Sequence, residues 1–142
     1  MLERFHVSGE EAIRINHIKM HSIVMQIFLK MGLSDENAKT SADVLIYADL
    51  NGVDTHGVSN MLRSYVSMYQ EKKINPNPSI KIIKESNATL ALDGDNGLGL
   101  HTAPIAMKMA ISKAKESGVG IATLNNAGHL GAAGFHAKLA VD

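Results

Sequence analysis

Apolar positions recur at helical spacing through the first half of the chain. Ile15, Ile18, Met25 and Leu29, with Ser22 among them, step by three and four residues, the period of one helix face. Ser8-Gly9-Glu10-Glu11 has the Ser-x-x-Glu form of a capping box, so this helix is expected to begin near Ser8 and to stop at Gly32. Ser34 caps a second helix, with Asp35 and Glu36 set against its positive end. Ala38, Ala42, Leu45 and Ala48 give that helix a narrow face that another helix can approach closely, and it ends near Gly52. Met61, Leu62, Tyr65, Met68 and Tyr69 form the apolar stripe of a third helix, from about Val58 to Lys72.

The period changes after Asn75-Pro76-Asn77-Pro78, a strong breaker. Ile80–Lys84 and Thr89–Asp93 read as two strands of a hairpin turning at Ser86-Asn87. Gly94-Asp95-Asn96-Gly97-Leu98-Gly99 reads as a glycine-rich turn opening a helix. The apolar face of that helix is Leu100, Ala103, Met107, Ala110, Ile111 and Ala114. Pro104 suits its first turn or kinks it, and Gly118 ends it. Val119–Leu124 alternates little, as a strand covered on both faces would. Another helix follows from about Gly131.

Strand, helix, strand and helix in succession imply an α/β layer. The expected architecture is a helical N-terminal part over residues 1–74, then residues 75–142 as the start of an α/β cofactor and substrate domain. That second part holds βαβ units of an incomplete, largely parallel or mixed sheet. So few βα units make a small sheet, and the chain reads as the N-terminal piece of something longer.

Composition narrows the function. Lys+Arg and Asp+Glu both number 14, which speaks against a general nucleic-acid or anionic-membrane surface. The chain has no cysteine, which excludes disulfides, thiolate zinc ligands and a cysteine nucleophile, and fits a reducing compartment. Met1–His6 lacks the apolar core of a signal peptide, and no apolar run approaches the ~20 residues that cross a bilayer. A soluble cytoplasmic protein is expected.

Two stretches concentrate the chemistry. Asp49-Leu50-Asn51-Gly52-Val53-Asp54-Thr55-His56-Gly57 joins two helices, and Asn125-Asn126-Ala127-Gly128-His129-Leu130-Gly131 follows a strand end. An imidazole can donate a proton, accept one or hold an oxyanion. His56 reads equally well as a helix-end cap. His129 lies where open α/β sheets bind ligands, outside the carboxyl end of a strand. Gly128 and Gly131 leave room for a ligand near the backbone. Asn60 and Arg63 share a helix face with His56, and an arginine there suits a carboxylate, although a solvated surface arginine fits the same spacing. Gly94-x-x-Gly97-x-Gly99 is not the dinucleotide fingerprint, whose third glycine would fall at Thr102. His6, His17, His21 and His136 read as surface or packing residues. Two rival readings stand beside an oxidoreductase. One is a metal-dependent lyase or hydrolase using Asp54, His56 and His129, for which no local His-x-x-x-His pair exists. The other is a non-enzymatic assembly module.

Ala48–Val58 resembles the Asp-x-x-Gly-x-x-Ser-His-Gly signature of the malate/L-lactate dehydrogenase family, distinct from the Rossmann-type malate and lactate dehydrogenases. Asn126–Phe135 resembles its Asn-Ser-x-His-x-Gly-Ala-Ala-Gly-Tyr signature. The resemblance implies a homodimeric NAD- or NADP-dependent enzyme interconverting 2-oxo and 2-hydroxy acids, with the cofactor held largely by residues beyond Asp142. It makes His129 the proton donor and acceptor, with Thr55 and His56 lining the substrate pocket. Asn126, Gly128 and Gly131 are the candidate cofactor contacts, and no metal is expected. Thr55 and Ala127 stand where serine is usual. Asn60 stands where arginine is common, with Arg63 one turn later, so either takes the carboxylate-binding position. On this reading the chain alone supplies catalytic and substrate residues and only part of the nicotinamide site.

Overall fold

The computed structural model describes residues 8–141; Met1–Val7, which include His6, and Asp142 lie outside them. Three helices come first: α1 (His17–Lys30), α2 (Asp35–Leu50) and α3 (Val58–Gln70). The hairpin β1 (Lys81–Glu85) and β2 (Thr89–Gly97) follows, then α4 (Gly99–Ser117), β3 (Ile121–Ala127) and the short α5 (Ala133–Lys138). The sheet order is β1-β2-β3, antiparallel in the first pair and parallel in the second. This is the expected α/β arrangement, a helical part followed by a βαβ unit in a mixed sheet, with α4 as the crossover.

The first helix departs from its sequence reading in start and in phase. The serine half of the Ser8 box forms: the Ser8 hydroxyl donates to Glu11 Oε2 at 3.2 Å and accepts from the Glu11 N–H at 3.3 Å. It closes only an isolated turn. α1 begins later, where Asn16 Oδ1 accepts from the N–H groups of Ile18 and Lys19 at 3.0 and 3.1 Å. Its inward residues are Val24 and Phe28, while Ile15 and Ile18 are 57% and 67% exposed and Ser22 also faces out. Phe28 meets Tyr69 of α3 edge to face at 6.4 Å, an aromatic contact that fixes the rotation of α1.

The other two early helices follow their patterns. Ser34 caps α2, and Ala38, Ala42, Leu45 and Ala48 are fully buried. Tyr65 and Tyr69 of α3 are buried, with Met61, Leu62 and Met68 packed beside them. One core cluster joins Phe28, Leu45 and Tyr65 to Leu98 and Leu100 at the start of α4, so the helical part and the α/β part share an interior.

The later half differs in detail. The glycine-rich stretch before α4 is no free turn. It forms the irregular end of β2, where the pairing slips between Asp93 and Gly97 and Asp95 and Asn96 are left-handed at φ 50° and 55°. On α4, Leu100, Ala106 and Ala110 are buried; Ala103, Met107, Ile111 and Ala114 are half-buried. Pro104 lies beyond the first turn, so the Leu100 carbonyl loses its helical N–H partner. β3 was expected to be covered on both faces. It instead alternates exposed and half-buried residues, with Ile121 54% exposed, because one face packs Ala122 and Leu124 against Leu90, Leu92 and Ala106 while the other is uncovered among the described residues.

Candidate active site

The first histidine is placed by an acidic anchor. α2 ends beyond Asp49, and Gly52 reverses the chain at φ +67°. A 3-10 turn, Asp54–His56, then leads through Gly57 into α3. Asp49 Oδ2 reaches across to accept the Val58 N–H at 3.1 Å, serving as a remote cap for α3. A Cβ on Gly57 would fall on that carboxylate, so only glycine allows the approach. Burial raises the Asp49 pKa, the Val58 bond opposes the rise and the charge of Asp54 adds to it. The Asn60 amide donates to the Asp54 carbonyl at 2.7 Å and locks the turn. Within it, Thr55 Oγ1 lies 2.7 Å from Nδ1 of His56.

The second histidine sits on a wedged loop. Asn126, left-handed at φ 50°, donates its amide to Asp93 Oδ1 at 3.0 Å and ties the end of β3 to β2. The Gly128 N–H donates to the Gly97 carbonyl at 2.8 Å. The loop then crosses the first turn of α4, where a Cβ on Gly99 would come within 2.7 Å of His129 and Leu130 backbone. Gly131 has φ +79°, and its missing Cβ makes room for Leu100 and Val44.

These two supports bring the imidazoles together. The rings of His56 and His129 lie 5.4 Å apart, stacked with 22° between their planes. Nδ1 of His129 is 2.8 Å from the Tyr65 hydroxyl and accepts the Gly131 N–H at 3.1 Å. Among the described residues no protein group bonds to Nε2 of either ring. Burial lowers the His129 pKa below 6.5, and His56 beside it lowers it further.

Thr55, His56 and His129 thus lie together in one cluster. Arg63 is on the same helix as Tyr65 but exposed, and without an ion pair among the described residues. Asn60 spends its amide on the turn. Sequence reasoning placed Tyr65 only in an apolar stripe. Its signal was available: a tyrosine on a buried face carries a hydroxyl that needs a partner. Of the other histidines, His101 is buried beside Ser41, and His136 is bonded to the Leu130 carbonyl. Among the described residues no three His, Asp or Glu side chains converge as a metal site would require, so the metal-dependent rival gains no support. None of the described helices is long and apolar enough to cross a membrane.

Residues 15–142 match the family described as malate/L-lactate dehydrogenase. The chain belongs to that family. The malate/L-lactate dehydrogenase relatives include the malate dehydrogenase of Pyrococcus abyssi, 41% identical over all 142 residues, which are 39% of that protein. The L-sulfolactate dehydrogenase of Methanocaldococcus jannaschii is 42% identical over 84% of this chain and 35% of its own length. The structure of malate dehydrogenase from Pyrococcus horikoshii OT3 superposes with a TM-score of 0.89 at 37% identity, over 94% of this chain and 38% of that one. The chain therefore spans about two-fifths of the length of these family members.

Proposed function

We propose that this chain carries the acid–base and substrate residues of an NAD(P)-dependent oxidoreductase interconverting a 2-oxo acid and a 2-hydroxy acid. The observation that carries the reading is the facing pair His56 and His129, each with a free Nε2, in a chain of this family. The part up to residue 74 contributes Thr55 and His56, and the part from residue 75 contributes His129.

When bound, the nicotinamide cofactor supplies or removes the hydride at the substrate carbon. The carbonyl oxygen then gains negative charge and needs a proton. Nε2 of His129 is free to deliver it, and to take it back when the hydroxy acid is oxidised. His56 stacks beside it and can donate to the substrate carboxylate or to the same oxygen. Arg63 is the only one of the four substrate candidates with a permanent positive charge, and it would approach the carboxylate from α3.

The proposed cofactor contacts offer space more than donors. The N–H groups of Gly128 and Gly131 and the Asn126 amide are all engaged inside the chain. No phosphate cradle is built from these three residues, so the dinucleotide phosphates would be held elsewhere in a protein as long as its relatives. A homodimer and a cytoplasmic location go with this reading. The test is to assay the intact protein with NADH and NADPH against the 2-oxo acids of malate, lactate and sulfolactate. Cofactor oxidation with at least one supports the reading; none with any 2-oxo acid overturns it.

A further inference from the structure

The two bonds at Nδ1 of His129 are not equivalent. The Gly131 N–H, 3.1 Å away, can only donate. The Tyr65 hydroxyl, 2.8 Å away, can donate or accept. To take a proton from a hydroxy acid, Nε2 must offer its lone pair. The neutral ring must then carry its proton on Nδ1, and the Gly131 N–H opposes that tautomer. The protonated ring also carries hydrogen on Nδ1, and again Gly131 cannot accept it.

We propose that Tyr65 is the positioning residue of His129: its buried hydroxyl oxygen accepts a proton-bearing Nδ1 and so keeps Nε2 competent to exchange a proton with substrate. The inference deepens the dehydrogenase reading and rests on it for the substrate. Over one reaction the hydroxy acid gives its hydroxyl proton to Nε2 and its C2 hydride to the oxidised nicotinamide cofactor. Tyr65 neither gains nor loses a proton; it only turns its own O–H away from Nδ1.

Three further features support this assignment. Tyr65 is 1% exposed on α3, so water does not replace its hydroxyl at Nδ1. Burial pushes its phenol above the ordinary 10, so it stays neutral while His129 titrates. The groups around the His129 ring are His56 from the 3-10 turn, Tyr65 from α3 and the Gly131 amide; no carboxylate bonds to it among the described residues. Among the described residues, Tyr65 alone can therefore accept from Nδ1. The same arrangement recurs at His56, where the Thr55 hydroxyl holds Nδ1 at 2.7 Å.

The test is Tyr65→Phe in the intact protein, read by nitrogen-15 NMR of the His129 ring and by pH profiles. The variant keeps the ring that fills the core. Wild-type His129 should show Nδ1 carrying hydrogen, wholly or in part, at pH 8. The variant should show hydrogen on Nε2 alone, a lower His129 pKa, and hydroxy-acid oxidation reduced roughly tenfold to a hundredfold in kcat at unchanged cofactor KM. That loss is smaller than the ~10²–10⁴-fold expected for removing the acid–base group itself. An unchanged tautomer and pKa in a folded variant would overturn the proposal. If Tyr65→Phe does not fold, 3-fluorotyrosine placed at position 65 keeps the shape and weakens the oxygen as an acceptor. It should lower the His129 pKa, and no change would equally overturn the proposal. The NMR readout needs no turnover, so an inactive wild type with the expected tautomers overturns the dehydrogenase reading alone.

Discussion

His56 and His129, from opposite halves of the chain, stack 5.4 Å apart with 22° between their rings. Neither ring is held by its own helix. His56 sits on a one-turn link stretched between α2 and α3, and His129 on a loop laid over α4. Their juxtaposition depends on tight supports at both places, and each support can be tested separately.

The first support is Asp49. Removing its carboxylate in Asp49→Ala leaves the Val58 N–H without its acceptor. The loss of a cap of this kind costs about 0.5–2 kcal/mol. Thermal or denaturant unfolding should show that loss, and it should come with weakened substrate binding, because the link carrying His56 is freed. Unchanged stability would mean that Asp49 does not anchor α3.

Gly131 supports the other side. Its φ is +79°, and an added Cβ would lie 2.6 Å from Leu100 and 2.7 Å from Val44. Gly131→Ala meets both backbone strain and overpacking, each worth about 1–3 kcal/mol. The variant should be less stable even without cofactor. A variant of native stability with weakened cofactor binding would assign Gly131 to the cofactor and not to packing.

Much of this fold was legible in the sequence because α2 and α3 carry consistent local signals. Ser34 caps where a serine should, and the small-residue face of Ala38, Ala42, Leu45 and Ala48 is buried throughout. α1 shows the limit. Its period was readable but its rotation was not, because Phe28 turns inward to meet Tyr69, a residue far along the chain. The spent amides of Asn60 and Asn126 were equally hidden, since each bonds to a partner that only the folded chain supplies. The stretch from Gly94 to Gly97 looked like a turn because its composition is that of a loop, while in the structure Asp95 and Asn96 are the left-handed residues of an irregular strand end.

The packing of α2 gives a third prediction. Ala42 is wholly buried in the core shared by α1, α3 and α4. Ala42→Leu adds volume inside that core and should cost about 1–3 kcal/mol. The denaturation midpoint should fall accordingly, and an unchanged midpoint would show that the face yields freely.

His101 predicts a pH dependence. It is 2% exposed against Ser41, and burial lowers its pKa from 6.5 to about 4. Below pH 6.5 the unfolded chain binds a proton here and the folded chain does not. Stability is therefore full above pH 6.5 and declines as pH falls toward 4, by up to about 3 kcal/mol from this group. Unfolding measured at pH 7 and pH 4.5 should show the drop, and His101→Leu should remove most of it. A variant with the wild-type pH slope would place the effect in other groups.

The central claim is that His129 exchanges the proton at the substrate oxygen. His129→Gln keeps a similar size and a hydrogen-bonding group but cannot carry the proton. Steady-state turnover of the intact protein in both directions, alongside direct measurement of cofactor binding, tests it most directly. Turnover should fall by about 10²–10⁴-fold with cofactor affinity little changed. In the wild type, oxidation of the hydroxy acid should persist to a pH below 6.5, because the lowered His129 pKa keeps the base form present there. Turnover that survives His129→Gln while cofactor binding collapses would contradict the claim and make His129 a binding residue.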